Sequence, residues 1–208
     1  MVVIESMEKL RGNVILCLDN GQKIYLTGKE AAEGGFCHGM ALPEEALNHF
    51  VQLHQYPRAL NLAVGMLARR PCSRGEIQKK LQLKHFSDEV TELVLYKLER
   101  EKLLNDEDFA RQWVQYRSSG KYGARRIYQE LRQKGVDEET AEMALQSLSG
   151  ESSLETAVQL AAKGLQRKKP DEPRYKARNR IIAGLLRKGY DWETAAKAFE
   201  KAEQHEDE

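Results

Sequence analysis

The chain has 208 residues and a formal net charge of +1, with 31% charged and 7% aromatic residues and a mean hydropathy of −0.65. No run approaches the roughly 18 to 20 apolar residues of a membrane span, and the first 13 residues lack the basic-then-apolar pattern of a secretory signal. The three cysteines are widely spaced, without a C-x-x-C pair, which favours reduced thiols in a cytoplasmic protein.

The first predicted elements form a β-hairpin at residues 13–26. Asn20-Gly21 lies between two apolar runs, and this dipeptide is typical of a type I′ turn, which needs positive φ at both central residues. Because a lone hairpin is marginally stable, we expect a third strand such as Val2–Ile4, or packing on a helix near residues 43–55. Residues 28–42 are glycine-rich and are predicted to form a short helix and a loop.

From Pro43 onward the pattern is helical, and one sequence pattern occurs three times, at residues 73–98, 123–148 and 177–202. Aligned at offsets of 50 and 54 residues, the apolar positions fall in register: Ile77, Ile127 and Ile181; Leu81, Leu131 and Leu185; Phe86, Val136 and Tyr190. Repeats of this length indicate a modular helical array, and such arrays usually form binding surfaces rather than catalytic pockets.

Each repeat is predicted to contain three helices. The predicted helices are residues 57–69, 73–84 and 87–101; 106–118, 123–134 and 137–148; and 152–168, 173–188 and 191–204. The expected fold is therefore mainly α, with three tandem helix-turn-helix-like repeats in an elongated curved array behind a small N-terminal β-hairpin region. The corresponding domains are an N-terminal extension with the hairpin and one helix (1–55), repeat 1 (56–104), repeat 2 (105–149), and repeat 3 with an acidic tail (150–208).

Helix starts and turns recur in the repeats. Ser73 and Asp106 are predicted N-caps, and Ser87, Asp137 and Asp191 occupy equivalent positions before the third helices. Gly135 and Gly189 are placed where a helix ends with a residue in the left-handed region. Repeat 1 has His85 in that place, which is a less favourable residue for the same turn.

Charge is segregated along the chain. Residues 69–84, 111–134 and 163–188 hold 23 of the 33 basic residues and only 4 of the 32 acidic ones. These stretches fall at the same place in each repeat, so we expect them to favour a polyanion. Tyr116, Tyr122 and Tyr128 are interleaved with cations and could stack on bases, although Tyr128 also fits a helix-packing role.

Arg125 and Arg126 begin a predicted helix, where positive charge opposes the helix dipole. A bound polyanion would compensate for it, and so would an acidic side chain from another unit. Catalytic chemistry finds little support, because the five histidines are scattered and the sequence has no P-loop, G-x-G-x-x-G or G-x-S-x-G motif. We therefore expect no catalytic residue, metal or cofactor.

The repeats resemble the RecX family, bacterial regulators of the recombinase RecA. The resemblance rests on A-x-x-x-L-A-R-R-P-x-S-R-x-E-I from Ala63 to Ile77 and on L-x-x-E-x-L-L-x-D-E-x-F-A from Leu98 to Ala110. It continues with Tyr116-Arg117 and G-x-R-R-I-x-x-E-L-R-Q-K-G-V from Gly123 to Val136. It covers residues 57 to about 203, is weaker in repeat 3, and departs from the family pattern at His85.

The resemblance implies a non-catalytic and mostly negative modulator of RecA, acting in DNA repair, recombination and the SOS response. Family members lie in the groove of the RecA–single-stranded DNA filament, inhibit its ATPase, strand exchange and co-protease activity, and block its growth or promote its disassembly. The implied partners are this filament, single-stranded DNA and, as a further candidate, double-stranded DNA; we expect a monomer and no membrane partner. The candidate contacts are Arg69, Arg70, Arg74, Arg117, Lys121, Arg125, Arg126, Arg132, Lys134, Arg178, Arg180, Arg187 and Lys188.

Two other functions stay open at this point. The repeats could bind DNA as helix-turn-helix units of a transcription regulator, although such a repressor is usually a symmetric dimer with one reading helix per chain. A simple packing role, with solvated charges, would also produce the helical pattern. A nuclease is least favoured, because the sequence has no acidic cluster suited to a catalytic metal.

Overall fold

The structure, a computed structural model, describes residues 1–148, 150–167 and 171–205. The chain divides into two compact units, Met1–Asn105 and Asp106–Glu208. The described part confirms the predicted fold class in being mainly helical, with three-helix repeats behind a small N-terminal β region. In chain order the elements are β1 (Val2–Leu10), β2 (Asn13–Leu18), β3 (Lys23–Thr27), α1 (Gly28–Glu33), β4 (Ala41–Leu42), α2 (Glu44–Leu67), α3 (Arg74–Gln82), α4 (Asp88–Arg100), α5 (Asp106–Ser119), α6 (Ala124–Gln133), α7 (Glu138–Leu145), α8 (Gly150–Leu165), α9 (Arg174–Arg187) and α10 (Trp192–Gln204).

The β region is larger than the predicted hairpin. Four antiparallel strands lie in the order β3-β2-β1-β4, and the expected third strand at Val2–Ile4 is the start of the longer strand β1. Strands β1 and β2 meet through Arg11 and Gly12, which have φ of 46° and 86°. Positive φ at both central residues gives the twist that hairpin strands require.

The hairpin between β2 and β3 lies where Asn20-Gly21 indicated it, but the predicted type I′ turn is wrong. Only Gly21 has positive φ, at 82°. The Gly21 amide donates to the Leu18 carbonyl at 2.9 Å, and the Leu18 amide donates to the Gln22 carbonyl at 2.9 Å. This is a three-residue loop with a type I turn followed by a glycine bulge.

Helix α2 replaces two predicted elements, the helix near 43–55 and the one at 57–69. It runs without a break through Pro57, which removes one backbone hydrogen bond but is exposed. Leu47 and Val51 are buried under the sheet, whereas Ala59 and Ala63 are buried in repeat 1. Because one helix completes both cores, packing on its two halves outweighs the cost of the proline.

Each repeat has a separate apolar core at the predicted positions. Ile77 and Leu81 lie in the core of repeat 1, and Ile127 and Leu131 lie in that of repeat 2; all four are fully buried. In repeat 3 the core contains Ile181, Leu185 and Tyr190, with Phe199 fully buried beside them. The sequence alignment of the repeats therefore identifies equivalent core positions.

The predicted caps and turns are mostly present. Ser73 forms a capping box with Glu76, and the side chains of Ser87, Asp137 and Asp191 accept from amides three residues later. Helix α5 begins at Asp106 itself, so the predicted N-cap there is one residue late. The turn residues His85, Gly135 and Gly189 have φ of 60°, 80° and 93°, as predicted. Of the predicted loop and tail, residues 168–170 and 206–208 lie outside the described residues.

Candidate nucleic-acid interface

The predicted basic residues of repeat 1 are mostly engaged in ion pairs. Arg70 binds Glu76, the capping-box residue, at 3.0 Å, and Arg74 bridges Glu92 at 2.6 Å and Glu99 at 2.9 Å. These two arginines tie α3 to the preceding loop and to α4. Arg69 is exposed and has no ion pair within the described part of the chain.

Repeats 2 and 3 bring basic residues from distant positions around one aromatic ring. The charged groups of Arg117, Arg126 and Lys188 lie 3.9, 4.7 and 4.8 Å from the centroid of the Tyr122 ring. Lys134 lies 4.2 Å from the Trp113 ring. Cations at these distances are attracted to the ring faces. We call the set of Trp113, Arg117, Tyr122, Arg126, Glu130, Lys134 and Lys188 the Tyr122 cluster.

Glu130 is the carboxylate of the Tyr122 cluster. It accepts from Arg117 Nε at 2.6 Å, from Arg126 Nε at 3.2 Å and from Trp113 Nε1 at 3.2 Å. Partial burial pushes the pKa of Glu130 upward, but the hydrogen bonds from Arg117 and Arg126 outweigh it, so the pKa lies below its ordinary value. One acid thus holds two arginines in place while four cations share the cluster.

The positive start of α6 is balanced by the carbonyl end of α9. The Gly123 amide donates to the Lys188 carbonyl at 2.9 Å, and the Arg125 amide donates to the Gly189 carbonyl at 3.1 Å. The Arg126 guanidinium also reaches the Arg187 carbonyl at 3.3 Å. Since a helix C-terminus carries partial negative charge, the expected need for a polyanion at Arg126 is met within the chain, by this carbonyl end and by Glu130.

The contact between α6 and α9 depends on two glycines. A Cβ on Gly123 would lie 2.5 Å from the Gly189 carbonyl group, and one on Gly189 would lie 2.4 Å from the Arg126 Cβ. Gly189 also has a φ of 93°, which side chains rarely adopt. This close backbone contact brings Lys188 to Tyr122.

The remaining predicted residues differ in their environments. Arg180 binds Glu172 at 2.8 Å, Lys121 donates to Gln159 at 3.1 Å, and Arg132 donates to the Val136 carbonyl at 2.8 Å. Among the residues that the structure describes, no ion pair involves Arg125, Arg178, Arg187 or Lys188. The candidate set therefore separates into cations held by ion pairs or hydrogen bonds within the chain and cations without an ion pair in the described ranges.

Sequence reasoning missed Trp113, Glu130 and the meeting of Lys188 with Arg117. Trp113 and Arg117 are four residues apart on α5, a spacing that places two side chains on one helix face. No local signal could have placed Lys188 there, because it is far away in sequence. Tyr128 packs against the core of repeat 2, in line with the helix-packing alternative.

Two negative findings concern the described residues only. Within residues 1–148, 150–167 and 171–205, no group of three or more His, Cys, Asp or Glu side chains could hold a metal ion. In the same ranges, no helix combines the length and the apolar character that a bilayer crossing requires.

Comparisons with known proteins agree on one family. Three family models match: the first three-helix domain of RecX at residues 59–98, the second at 105–145 and the third at 151–199. The regulatory protein RecX of Thermobifida fusca is 36% identical over 155 residues, covering 73% of this chain and 77% of that protein. The regulatory protein RecX of Oceanobacillus iheyensis is 28% identical over 210 residues, and the match covers 99% of this chain and 77% of that protein.

Solved structures share the fold. A crystal structure of a regulatory protein RecX has a TM-score of 0.65 at 24% identity and covers 98% of this chain and all of that chain. RecX from Lactobacillus salivarius has a TM-score of 0.66 at 24% identity and covers 72% of this chain and 97% of that one. The three matched domains and the close relatives establish that this chain belongs to the RecX family of regulatory proteins.

Proposed function

We propose that this chain is a non-catalytic, mostly negative modulator of RecA that acts in the cytoplasm as a monomer. It binds in the groove of the RecA–single-stranded DNA filament, inhibits ATP hydrolysis, strand exchange and co-protease activity, and blocks growth of the filament or promotes its disassembly. Membership of a family of regulatory proteins supports the regulatory part of this proposal. The distribution of basic side chains supports the filament as the partner.

The observation that carries the proposal is the separation of the cations into two groups. Arg70, Arg74, Arg117 and Arg126 are held by Glu76, Glu92, Glu99 and Glu130 and stabilise the repeats. The other group has no ion pair in the described ranges and remains available to phosphates or acidic protein walls: Arg69, Arg125, Arg178 and Arg187. Lys188 also has no ion pair there, but it lies over the Tyr122 ring. Phosphate contacts of this kind bind nucleic acid without reading its sequence.

The helix-turn-helix alternative is disfavoured by what surrounds the turns. In repeat 1 the His85 ring stacks on Tyr25 of β3 at 4.0 Å, and in repeat 3 the turn at Gly189 receives the start of α6. The third helices also begin with acids: Asp88 and Glu89 in α4, Glu138 and Glu139 in α7, and Glu193 in α10. Acidic first turns would repel DNA phosphates in a reading helix.

The test is ATP hydrolysis by the cognate RecA on single-stranded DNA, with this protein titrated in. We expect suppression at substoichiometric amounts, because a protein that blocks filament growth acts on many subunits at once. Unchanged hydrolysis at a molar excess would contradict the proposal. Tight, sequence-specific binding to a duplex would favour the transcription regulator instead.

A further inference from the structure

Trp192 is an exposed tryptophan that the basic stretches do not explain. It is the first residue of α10, and 59% of it is exposed. The other tryptophan, Trp113, is half-buried, donates to Glu130 and is covered by Lys134. Exposed tryptophans are uncommon and are enriched at binding sites.

The chain around Trp192 is cationic. The Gly189 carbonyl, three residues earlier, accepts from the Arg125 amide at 3.1 Å, and Arg187 and Lys188 immediately precede this turn. None of these three cations has an ion pair in the part of the chain that the structure describes. The turn before Trp192 is therefore flanked by cations that have no ion pair in the described ranges, although Asp191 lies near Arg125 and Lys188 lies over the Tyr122 ring.

The acids next to Trp192 are already engaged. The Asp191 carboxylate accepts from the Thr194 amide at 2.8 Å and from the Thr194 hydroxyl at 2.6 Å. Those bonds, with the nearby Arg125 charge, hold the pKa of Asp191 below its usual value. Glu193 binds Lys197 at 2.6 Å. An anionic ligand beside Trp192 would meet available cations and acids whose charge is partly offset.

We propose that Trp192 stacks on a base of single-stranded DNA while Arg125 and Arg187 contact the adjoining phosphates. An exposed aromatic ring that follows a turn flanked by cations without ion pairs offers the two parts that an unstacked nucleotide needs, a stacking surface and positive charge, and stacking of this kind needs no particular base. A protein partner fits this arrangement less well, because a protein does not present aromatic bases and phosphates at a regular spacing. This inference rests on the proposed function, since it names the part of the filament that repeat 3 contacts.

The first experiment uses the two tryptophans as separate reporters. In Trp113→Phe all tryptophan emission comes from Trp192, and in Trp192→Phe it comes from Trp113. Each full-length variant is titrated with a thymidine oligonucleotide at low salt, and binding is followed in parallel by anisotropy of a labelled strand. We expect saturable quenching in Trp113→Phe that follows the anisotropy, and little change in Trp192→Phe.

The second experiment separates base stacking from general loss of binding. Trp192→Ala should weaken binding of the thymidine strand roughly 5- to 150-fold, the range of one lost stacked base. On an abasic strand of equal length, which keeps the phosphates, wild type and Trp192→Ala should bind equally. Tyr96→Ala, which removes an aromatic side chain that is 63% exposed on α4, serves as the matched control and should change neither affinity.

Three results would overturn the inference: unquenched Trp192 emission at saturating oligonucleotide, equal weakening of Trp192→Ala on both strands, or no binding of the oligonucleotide at all. Each is distinguishable from failure of the proposed function. A protein that suppresses RecA ATP hydrolysis without quenching of Trp192 would retain the regulatory role and lose only this contact.

Discussion

Glu130 shows how a single carboxylate organises the Tyr122 cluster. It holds Arg117 and Arg126 at once, and its partners come from α5 and α6. Because its pKa is lowered in the folded state, the ionised form contributes stability at neutral pH. That contribution is present above the ordinary glutamate pKa of about 4.3 and is lost as pH falls through the folded value.

Replacing Glu130 with glutamine should therefore destabilise the protein in a pH-dependent way. At pH 7 we expect a loss of about 1.5–3 kcal/mol, the usual range for hydrogen bonds to charged groups. The difference from wild type should shrink as pH falls below the ordinary glutamate pKa of about 4.3 and through the lower folded pKa, because the wild-type carboxylate is progressively protonated over that range. Urea unfolding at pH 7 and pH 3 measures both values.

Glu142→Gln is the matched control for this experiment, since Glu142 is exposed on α7. It should leave stability unchanged at both pH values. A Glu130→Gln penalty of the same size at pH 3 and pH 7 would show that the ionised carboxylate is not the source of the stability.

Gly189 tests the close contact between α6 and α9. Gly189→Ala adds a side chain at positive φ and places its Cβ 2.4 Å from the Arg126 Cβ. Gly21→Ala is the matched control, because Gly21 has φ of 82° but no atom within 4 Å of the added Cβ. Both should lose about 1–2 kcal/mol from backbone strain, and Gly189→Ala should lose clearly more, as measured by chemical denaturation. Equal losses would show that α6 and α9 can move apart at no cost, which would contradict a stabilising role for their close contact.

At the level of elements, the N-terminal sheet is joined to repeat 1 by a buried polar side chain on α2. Gln55 is 1% exposed, and its amide donates to the Tyr25 carbonyl at 2.9 Å and accepts from the Ser87 amide at 2.9 Å. One side chain thus supplies a hydrogen-bond partner both to a carbonyl of the edge strand β3 and to the amide at the start of α4. The His85 ring stacks on Tyr25 beside this bridge, so the histidine at the glycine position of repeat 1 makes a contact that a glycine could not make.

Gln55→Leu should cost about 1–3 kcal/mol, because it leaves the Tyr25 carbonyl and the Ser87 amide, both of partly buried residues, without these partners. Gln52→Leu makes the same chemical change three residues earlier on the same helix, where the side chain is only partly buried, and should cost much less. Hydrogen exchange should show the strand β3 losing protection in Gln55→Leu. Unchanged protection of β3 would contradict the bridging role.

The sequence predicted the helical elements well and the contacts between them poorly. Periodic apolar positions and repeated caps located α3, α4, α6, α7, α9 and α10, because those signals are local. The sequence could not predict that α2 is continuous, because Pro57 is a helix-breaking signal. The helix continues through it because its two halves pack in two different apolar cores, which the sequence does not show. The sequence also could not predict the position of Lys188 beside Tyr122. That position depends on the close contact of Gly123 with Gly189, which are far apart in sequence.

At the scale of the whole molecule, the sequence identified the three basic stretches. It could not predict which of their residues form ion pairs within the chain. Charge counts treat Arg126 and Arg125 alike, whereas Arg126 is bound to Glu130 and Arg125 has no ion pair in the described residues. A charge-reversal experiment that includes Arg126 would confuse folding with binding. Arg69, Arg125 and Arg187 are exposed and suited to a test of function.

The most direct measurement is the DNA-dependent ATP hydrolysis of preformed RecA filaments with three forms of this protein. Wild type should suppress hydrolysis at substoichiometric amounts. Arg69→Glu/Arg125→Glu/Arg187→Glu should melt as wild type does but require at least about tenfold more protein, because several anionic contacts are lost. Lys9→Glu/Lys23→Glu/Lys29→Glu, the same charge change on exposed residues of the N-terminal region, should inhibit as wild type does. Equal inhibition by all three forms, or none by wild type, would contradict the account.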